Sequence, residues 1–102
     1  MEVKYQIDET TLRLFFIGEL DEHSAKGVKT KLDELIESVN VKRVVFEFGQ
    51  LNFTDSTGIG LLIGRYKLLK SRQVAVFINE PKPQIEKVLK MTGIFQIMPK
   101  IG

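Results

Sequence analysis

The sequence predicts a mixed α/β fold, in which helices pack on a β-sheet in the element order β-β-α-β-α-β-α-β. Three observations support this fold class. Two segments near the N-terminus alternate apolar and polar residues, as half-buried strands do. Residues 43–48 and 74–78 are almost continuously apolar, which is typical of central parallel strands. Segments with apolar residues at helical spacing lie between these strands, as parallel crossover connections require.

In the first half of the chain, a hairpin, a helix and a central strand are predicted. Residues 3–7 and 11–17 are the two alternating strands, and the short spacing between them predicts the hairpin. Asp21 is a candidate N-cap for a helix over about residues 22–38, because apolar residues fall there at helical spacing and charged residues fill the other positions. The apolar run 43–48 follows as the central strand.

The second half is predicted to alternate helix and strand. A glycine-rich segment begins a helix over about residues 56–70, and a second central strand over 74–78 follows it. Pro83 suits the first turn of a short third helix, and Gly93 stands where a left-handed residue would end that helix. Residues 94–98 are apolar except for Gln96 and are predicted to form a last short strand.

Composition limits the classes of function. The chain has 102 residues, of which 43% are hydrophobic and 27% charged, so we expect one domain over residues 1–102 with its own core. The absence of cysteine excludes a disulfide framework and a thiol nucleophile. A net charge of +2 gives no electrostatic support for nucleic-acid binding. Because no apolar run is long enough to span a membrane or form a signal peptide, we expect a cytoplasmic protein.

The polar cluster at residues 54–57 separates the buried strand from the glycine-rich helix. Open α/β sheets commonly place function at such a strand–loop–helix junction. Backbone N–H groups are unpaired there, and the helix dipole favours negative charge. Helix capping by Ser56 or Thr57 would be the simplest explanation, but the cluster offers more polar side chains than one cap needs. A hydroxyl at this position is also a favourable phosphate acceptor.

Two other functions could use the same loop. A serine hydrolase would need a general base within hydrogen-bond reach of Ser56, and the only histidine is His23. Glycines 58, 60 and 64 resemble a dinucleotide-binding pattern, but the third glycine is wrongly spaced, and no Gly-Lys-Ser/Thr of a P-loop follows. Packing of the helix on the sheet through small residues explains these glycines better, so nucleotide binding is kept only as an alternative.

The residues around this loop resemble the STAS domains of bacterial anti-sigma factor antagonists, and most closely the sporulation branch of that family. Four segments carry the resemblance: Gly-Glu-Leu-Asp at 18–21, Phe-Thr-Asp-Ser-Thr-Gly-Ile-Gly at 53–60, Gly-Arg-Tyr-Lys at 64–67 and Met-Thr-Gly-Ile-Phe at 91–95. The resemblance covers essentially the whole chain. One departure is Thr54, which stands where the family usually has methionine.

The resemblance implies a switch that works by binding another protein, with no catalytic residue, metal or cofactor of its own. Ser56 matches the serine that is phosphorylated by the anti-sigma factor, which is itself an ATP-dependent serine kinase. The unphosphorylated form would bind that kinase and free a sigma factor of the sporulation sigma-F type, and a PPM-type serine phosphatase would reset it. The resemblance places Asp21, Asp55, Ser56, Thr57 and Gly58 on the docking surface, and we expect a monomer.

Two points stay open at the level of the sequence. Thr54 and Thr57 are rival phosphate acceptors beside Ser56, although the match to the family favours Ser56. The chain could also be a general-stress or other regulatory STAS protein with a different kinase partner.

Overall fold

The computed structural model describes residues 1–102 and confirms the predicted fold class, a mixed sheet with helices packed on it. Most of the predicted elements are present within a few residues of their expected bounds. In chain order they are β1 (Glu2–Asp8), β2 (Thr11–Leu20), α1 (Ala25–Ser38), β3 (Arg43–Glu47), β4 (Leu51–Thr54), α2 (Ser56–Ser71), β5 (Ala75–Asn79), α3 (Pro83–Thr92) and a 3₁₀ turn (Ile94–Gln96).

The sheet is organised around β2, the longest strand. The hairpin prediction is confirmed, since β1 pairs antiparallel with β2. The parallel central strands are also confirmed, and the strand order is β1-β2-β3-β5. Beyond its pairing with β3, β2 continues to Leu20 and pairs with the short strand β4. A register shift between Gly18 and Glu19 separates the two partners, and Gly18 there has a φ of 112°, a conformation that favours glycine.

All three helices bury their apolar stripes on the same face of the sheet. Their buried apolar residues are Val28, Leu32 and Ile36 in α1, Ile59, Leu62 and Leu69 in α2, and Ile85 and Leu89 in α3. From the sheet, Phe16 packs edge-on against Phe46 and Phe48, with ring centroids 5.5 and 5.2 Å apart. This aromatic cluster lies near the carboxyl ends of the parallel strands, below the edge where α1 and α2 begin. None of the helices combines the length and apolar character that crossing a bilayer requires.

No strand is predicted between residues 48 and 56, but Leu51–Thr54 forms the strand β4. Leu51 and Thr54 are buried while the two residues between them are exposed, so the segment lacks the two-residue alternation that identifies strands. It forms a strand because its backbone pairs with Gly18–Leu20 of β2. This pairing is a tertiary contact that local sequence does not reveal.

The prediction of a last strand at residues 94–98 is wrong. Ile94–Gln96 is a 3₁₀ turn, and the N–H of Met98 donates to the carbonyl of Ile94 over 2.8 Å. Ile94 and Met98 are both buried, four residues apart, so this apolar segment follows helical rather than strand spacing. A strand-like bridge forms slightly later, where Lys100 pairs with Ile78 of β5.

Candidate functional site

The candidate site lies where β2 and β4 end side by side. Leu20 is paired with Thr54 in the register of these two strands, so the residues that follow, Asp21 and Asp55, leave the sheet at the same edge. The N–H of Asp55 also donates to the carbonyl of Leu20 over 3.4 Å. The loops that begin α1 and α2 are therefore neighbours, as the grouping of Asp21 with residues 55–58 requires.

Asp55 connects the two loops through its two carboxylate oxygens. Oδ1 accepts from the N–H of Gly58 over 2.9 Å, which makes Asp55 the N-cap of α2. Oδ2 accepts from the N–H of Glu22 over 3.1 Å, in the loop before α1. The simplest explanation of the cluster, that Ser56 or Thr57 caps the helix, is therefore wrong. Neither hydroxyl is needed to cap α2.

Asp21 forms a tight turn, and α1 begins at Ala25, three residues later than predicted. Its Oδ1 accepts from the N–H groups of His23 and Ser24, both over 3.0 Å, while its own N–H donates to Ser24 Oγ. The hydroxyl of Ser24 donates to the carbonyl of Glu19 over 2.9 Å. The N–H of Ser24, followed by that of His23, holds the pKa of Asp21 below its ordinary value, because both stabilise the charged carboxylate. Asp21 thus caps the turn before the helix rather than the helix itself.

Gly58 allows α2 to approach the sheet. A Cβ at this position would lie 2.3 Å from Thr54 Oγ1 and 2.4 Å from the carbonyl oxygen of Leu20, so no larger residue fits without a backbone shift. The packing explanation predicted for the glycines therefore holds for Gly58. It is wrong for Gly60 and Gly64, where a Cβ would meet nothing within 4 Å.

Exposure divides the three hydroxyls of the cluster into two exposed candidates, Ser56 and Thr57, and a buried one, Thr54. Ser56 is the first residue of α2, is exposed, and its hydroxyl has no hydrogen-bond partner in the protein. Thr57 is exposed as well, whereas Thr54 is only 5% exposed and lies against Gly58. The N–H groups of Ser56 and Thr57 precede the first intrahelical hydrogen bond of α2, which Ile59 donates. An anion on Ser56 would meet these donors and the positive end of the helix dipole.

The arrangement that a serine hydrolase needs is not assembled at this site. The His23 side chain is 88% exposed, and its Nε2 lies 3.9 Å from Glu22 Oε1 rather than on Ser56. No hydrogen bond connects the imidazole to the Ser56 hydroxyl, so His23 does not act as its general base in this conformation. The structure also contains no group of three or more histidine, aspartate or glutamate side chains that could hold a metal ion.

Two features of the site were missed at the level of sequence. Glu22 takes part through its backbone N–H, which any residue would supply, so no sequence signal identifies it. Phe53 is 48% exposed on β4, directly before the cluster, and its neighbour Asn52 accepts a hydrogen bond from Lys82 Nζ over 2.5 Å. The exposure of Phe53 is a property of the fold, so the sequence alone gives no signal that separates it from a core aromatic residue.

Sequence relatives of the chain are named as anti-sigma factor antagonists. The anti-sigma F factor antagonist of Paenibacillus polymyxa is 35% identical over 82 residues, covering 80% of this chain and 70% of that protein. The protein of the same name from Lysinibacillus sphaericus is 30% identical, covering 85% and 73%. The anti-sigma-B factor antagonist of Listeria monocytogenes is 27% identical, covering 96% and 84%.

Solved structures of an anti-sigma factor antagonist also match this chain. The unphosphorylated form of the anti-sigma factor antagonist SpoIIAA matches with a TM-score of 0.82 at 25% identity, covering 99% of this chain and 89% of that chain. The phosphorylated form of SpoIIAA from Bacillus matches with a TM-score of 0.73, covering 99% and 92%. The sequence profile of the STAS domain matches residues 2–102. This chain therefore belongs to the STAS domain family.

Proposed function

We propose that this protein is an anti-sigma factor antagonist that is switched off by phosphorylation of Ser56. In the unphosphorylated state it binds an anti-sigma factor that is a serine kinase, and so frees a sigma factor of the sporulation sigma-F type. The names of the relatives support the antagonist class, and the two solved states of SpoIIAA support a phosphorylation switch in the family. The observation that carries the proposal for this chain is the free, exposed hydroxyl of Ser56 at the start of α2.

The switch follows from the charge that a phosphate adds. A phosphoserine carries a charge of about −2 near neutral pH. The free N–H groups of Ser56 and Thr57 and the helix dipole stabilise this charge, so the fold tolerates the modification. A partner surface that fits the neutral hydroxyl would instead meet a dianion next to the carboxylates of Asp21 and Asp55. Such a change of charge at the centre of an interface weakens binding.

The proposed docking surface combines residues with different tasks. Ser56 and Thr57 are exposed and contact the partner directly, and the half-buried carboxylates of Asp21 and Asp55 shape the two loops around them. Gly58 is buried and acts by letting α2 approach the sheet. The protein acts by binding rather than catalysis, as a cytoplasmic monomer, and a PPM-type serine phosphatase removes the phosphate.

A second candidate is antagonism in a sigma-B-type pathway, with a different kinase partner. It is favoured by the relatives named as anti-sigma-B factor antagonists, which match nearly the whole chain at lower identity. The two pathways would use the same loop and the same serine. Binding to purified anti-sigma F and anti-sigma-B factors, measured side by side, separates them, because the cognate factor binds more tightly.

The proposed function is tested by the affinity of three forms for the anti-sigma factor kinase. Ser56→Ala adds no charge to the loop and is expected to bind within about twofold of the wild type. Ser56→Asp places a negative charge at the position of the phosphate and is expected to weaken binding by about tenfold or more. Equal affinities of all three forms would refute the switch, and a hydrolytic activity lost in Ser56→Ala would favour an enzyme instead.

A further inference from the structure

A groove of about 380 Å³ lies between α1 and α2 and begins beside the proposed phosphate acceptor. Its α2 wall contains Thr57, Gly60, Leu61 and Gly64, and its α1 wall carries Lys26 and Lys29. Thr57 follows Ser56 directly in α2, so a partner that covers Ser56 can reach the groove without crossing the fold. The groove is therefore continuous with the proposed docking surface.

The glycines of this groove are not explained by the packing of the chain itself. A Cβ at Gly60 or Gly64 would meet nothing within 4 Å, in contrast to Gly58. A glycine inside a helix costs about 1 kcal/mol relative to alanine, so these two residues reduce the stability of α2 with no gain in the isolated fold. They are four residues apart and so share one side of the helix. Together they leave α2 without side chains where another backbone could approach closely.

Further along the same interface, opposite charges join the two helices. Arg65 Nη1 of α2 lies 3.2 Å from Asp33 Oδ1 of α1, and Arg72 pairs with Glu37. This half of the interface is therefore closed by its own ion pairs. The half that carries Gly60 is open, because Lys26 and Lys29 form no ion pair with α2, which contains no acidic residue. Arg65 lines the end of the groove, where its pair with Asp33 closes it.

The open half carries an excess of positive charge. Lys26 forms no ion pair. Lys29 Nζ lies 3.1 Å from Asp33 Oδ2, so Lys29 and Arg65 share the single carboxylate of Asp33. Arg65 lines the groove, and its Nε is buried without a hydrogen-bond acceptor. Three basic side chains thus surround the groove against one carboxylate. A complementary occupant is negatively charged where it meets the lysines and apolar where it meets Leu61.

We propose that this groove binds an acidic amphipathic helix of the anti-sigma factor. The helix lies along Gly60 and Gly64, packs apolar side chains on Leu61, and directs its carboxylates to Lys26 and Lys29. This inference rests on the proposed function for the identity of the partner. It adds a second, basic contact beside the acidic loops of Asp21 and Asp55, so the docking surface has two poles of opposite charge. Such a surface fixes the orientation of the partner.

The groove is tested by a pair of charge reversals on the same helix. Lys26 lines the groove, whereas Lys31 is an equally exposed lysine of α1 outside it. Affinity for the anti-sigma factor kinase of the same organism is measured for the wild type, Lys26→Glu and Lys31→Glu. We expect Lys26→Glu to weaken binding by about tenfold at low salt, with a smaller effect at high salt, and Lys31→Glu to change it by less than about twofold.

A second variant tests the shape of the groove rather than its charge. Gly60→Gln fills the groove with an uncharged side chain, and the open space at its Cβ allows the variant to fold, which a thermal melt followed by circular dichroism checks. We expect its affinity for the kinase to fall by about tenfold as well, because the helix of the partner can no longer approach α2. Unchanged affinity of Gly60→Gln would overturn the groove, even if Lys26→Glu were weakened.

The outcomes separate the two proposals. If the wild type binds the kinase and the two lysine variants bind equally well, the groove is overturned and the proposed function stands. If the wild type does not bind the kinase, the proposed function fails, and the groove as a site for that partner fails with it.

Discussion

The loops that begin α1 and α2 both contain an aspartate directly after a strand, but the two aspartates accept hydrogen bonds from different parts of the chain. Asp21 accepts hydrogen bonds only within its own turn, from His23 and Ser24. Asp55 accepts one from its own helix and one from the neighbouring loop, at Glu22. The α1 loop is thus a local turn, whereas the α2 loop holds both loops in place.

The two helices also differ in how closely they pack on the strands below these loops. The first turn of α2 lies directly on the ends of β2 and β4, because Gly58 has no side chain to separate them. In α1 the turn Asp21–Ser24 comes before the helix and spaces it from the strand. Ser56 therefore lies on a helix that packs closely on the sheet, and Asp55 is one of the contacts that position the α1 loop.

The largest expected effect is that of Gly58→Ala, which breaks the support of α2. The added methyl group would overlap the Leu20 carbonyl and the Thr54 side chain, so we expect a loss of about 3 kcal/mol in the free energy of unfolding. Urea denaturation measures this loss. The matched control is Gly60→Ala, where the methyl group meets nothing and the helix gains about 1 kcal/mol. Equal effects of the two substitutions would contradict the close approach at Gly58.

A smaller effect is expected from removing the connection between the loops. Asp55→Ala loses the N-cap of α2 and should cost about 1–2 kcal/mol in the free energy of unfolding. Asp55→Asn can keep the cap at Gly58, but its amide group cannot accept from the N–H of Glu22 in the same geometry. Hydrogen exchange should therefore quicken at the Glu22 amide alone in Asp55→Asn, and at the Glu22 and Gly58 amides in Asp55→Ala. Unchanged exchange at Glu22 in both variants would mean that the connection does not persist in solution.

The smallest expected effect concerns the acid response of the α1 loop. The pKa of Asp21 is lowered in the folded protein by the N–H of Ser24, so its contribution to stability is present above about pH 4 and is lost as the pH falls through the lowered pKa. Asp21→Asn removes this titration. Thermal melts from neutral pH to about pH 2 should therefore show a weaker acid destabilisation in Asp21→Asn than in the wild type. If the melting temperatures of the wild type and Asp21→Asn fell equally with pH, the Asp21 carboxylate would contribute nothing to the acid response.

The sequence predicted the framework of the sheet well, because the decisive signals were local. Alternation identified the β1–β2 hairpin, and the apolar runs identified the parallel strands β3 and β5. Helical spacing in α1 and α2 correctly gave the residues that face the core. The strand predicted after Gly93 is wrong because a five-residue, mostly apolar segment fits either the strand or the helical period. Only the burial of both Ile94 and Met98 shows that the helical period applies.

The structure brings the residues of the predicted site together through hydrogen bonds that the sequence did not indicate. The resemblance placed Asp21 beside residues 55–58, and the pairing of Leu20 with Thr54 explains why they meet. The role of Asp55 as both cap and bridge could not be predicted, because one of its two partners is a backbone N–H that is distant in sequence. Of the rival acceptors, the fold buries Thr54 and leaves Ser56 and Thr57 exposed, so between these two only the match to the family favours Ser56.

The central claim is that Ser56 is the phosphate acceptor, and peptide mass spectrometry after incubation with ATP and the anti-sigma factor kinase tests it most directly. The wild type and Ser56→Ala are compared; the substitution should change stability by less than about 0.5 kcal/mol, because the Ser56 hydroxyl makes no hydrogen bond within the protein. We predict a single added phosphate on Ser56 in the wild type and none in the variant. Phosphate on Thr57, or none from a kinase that is otherwise active, would contradict the claim.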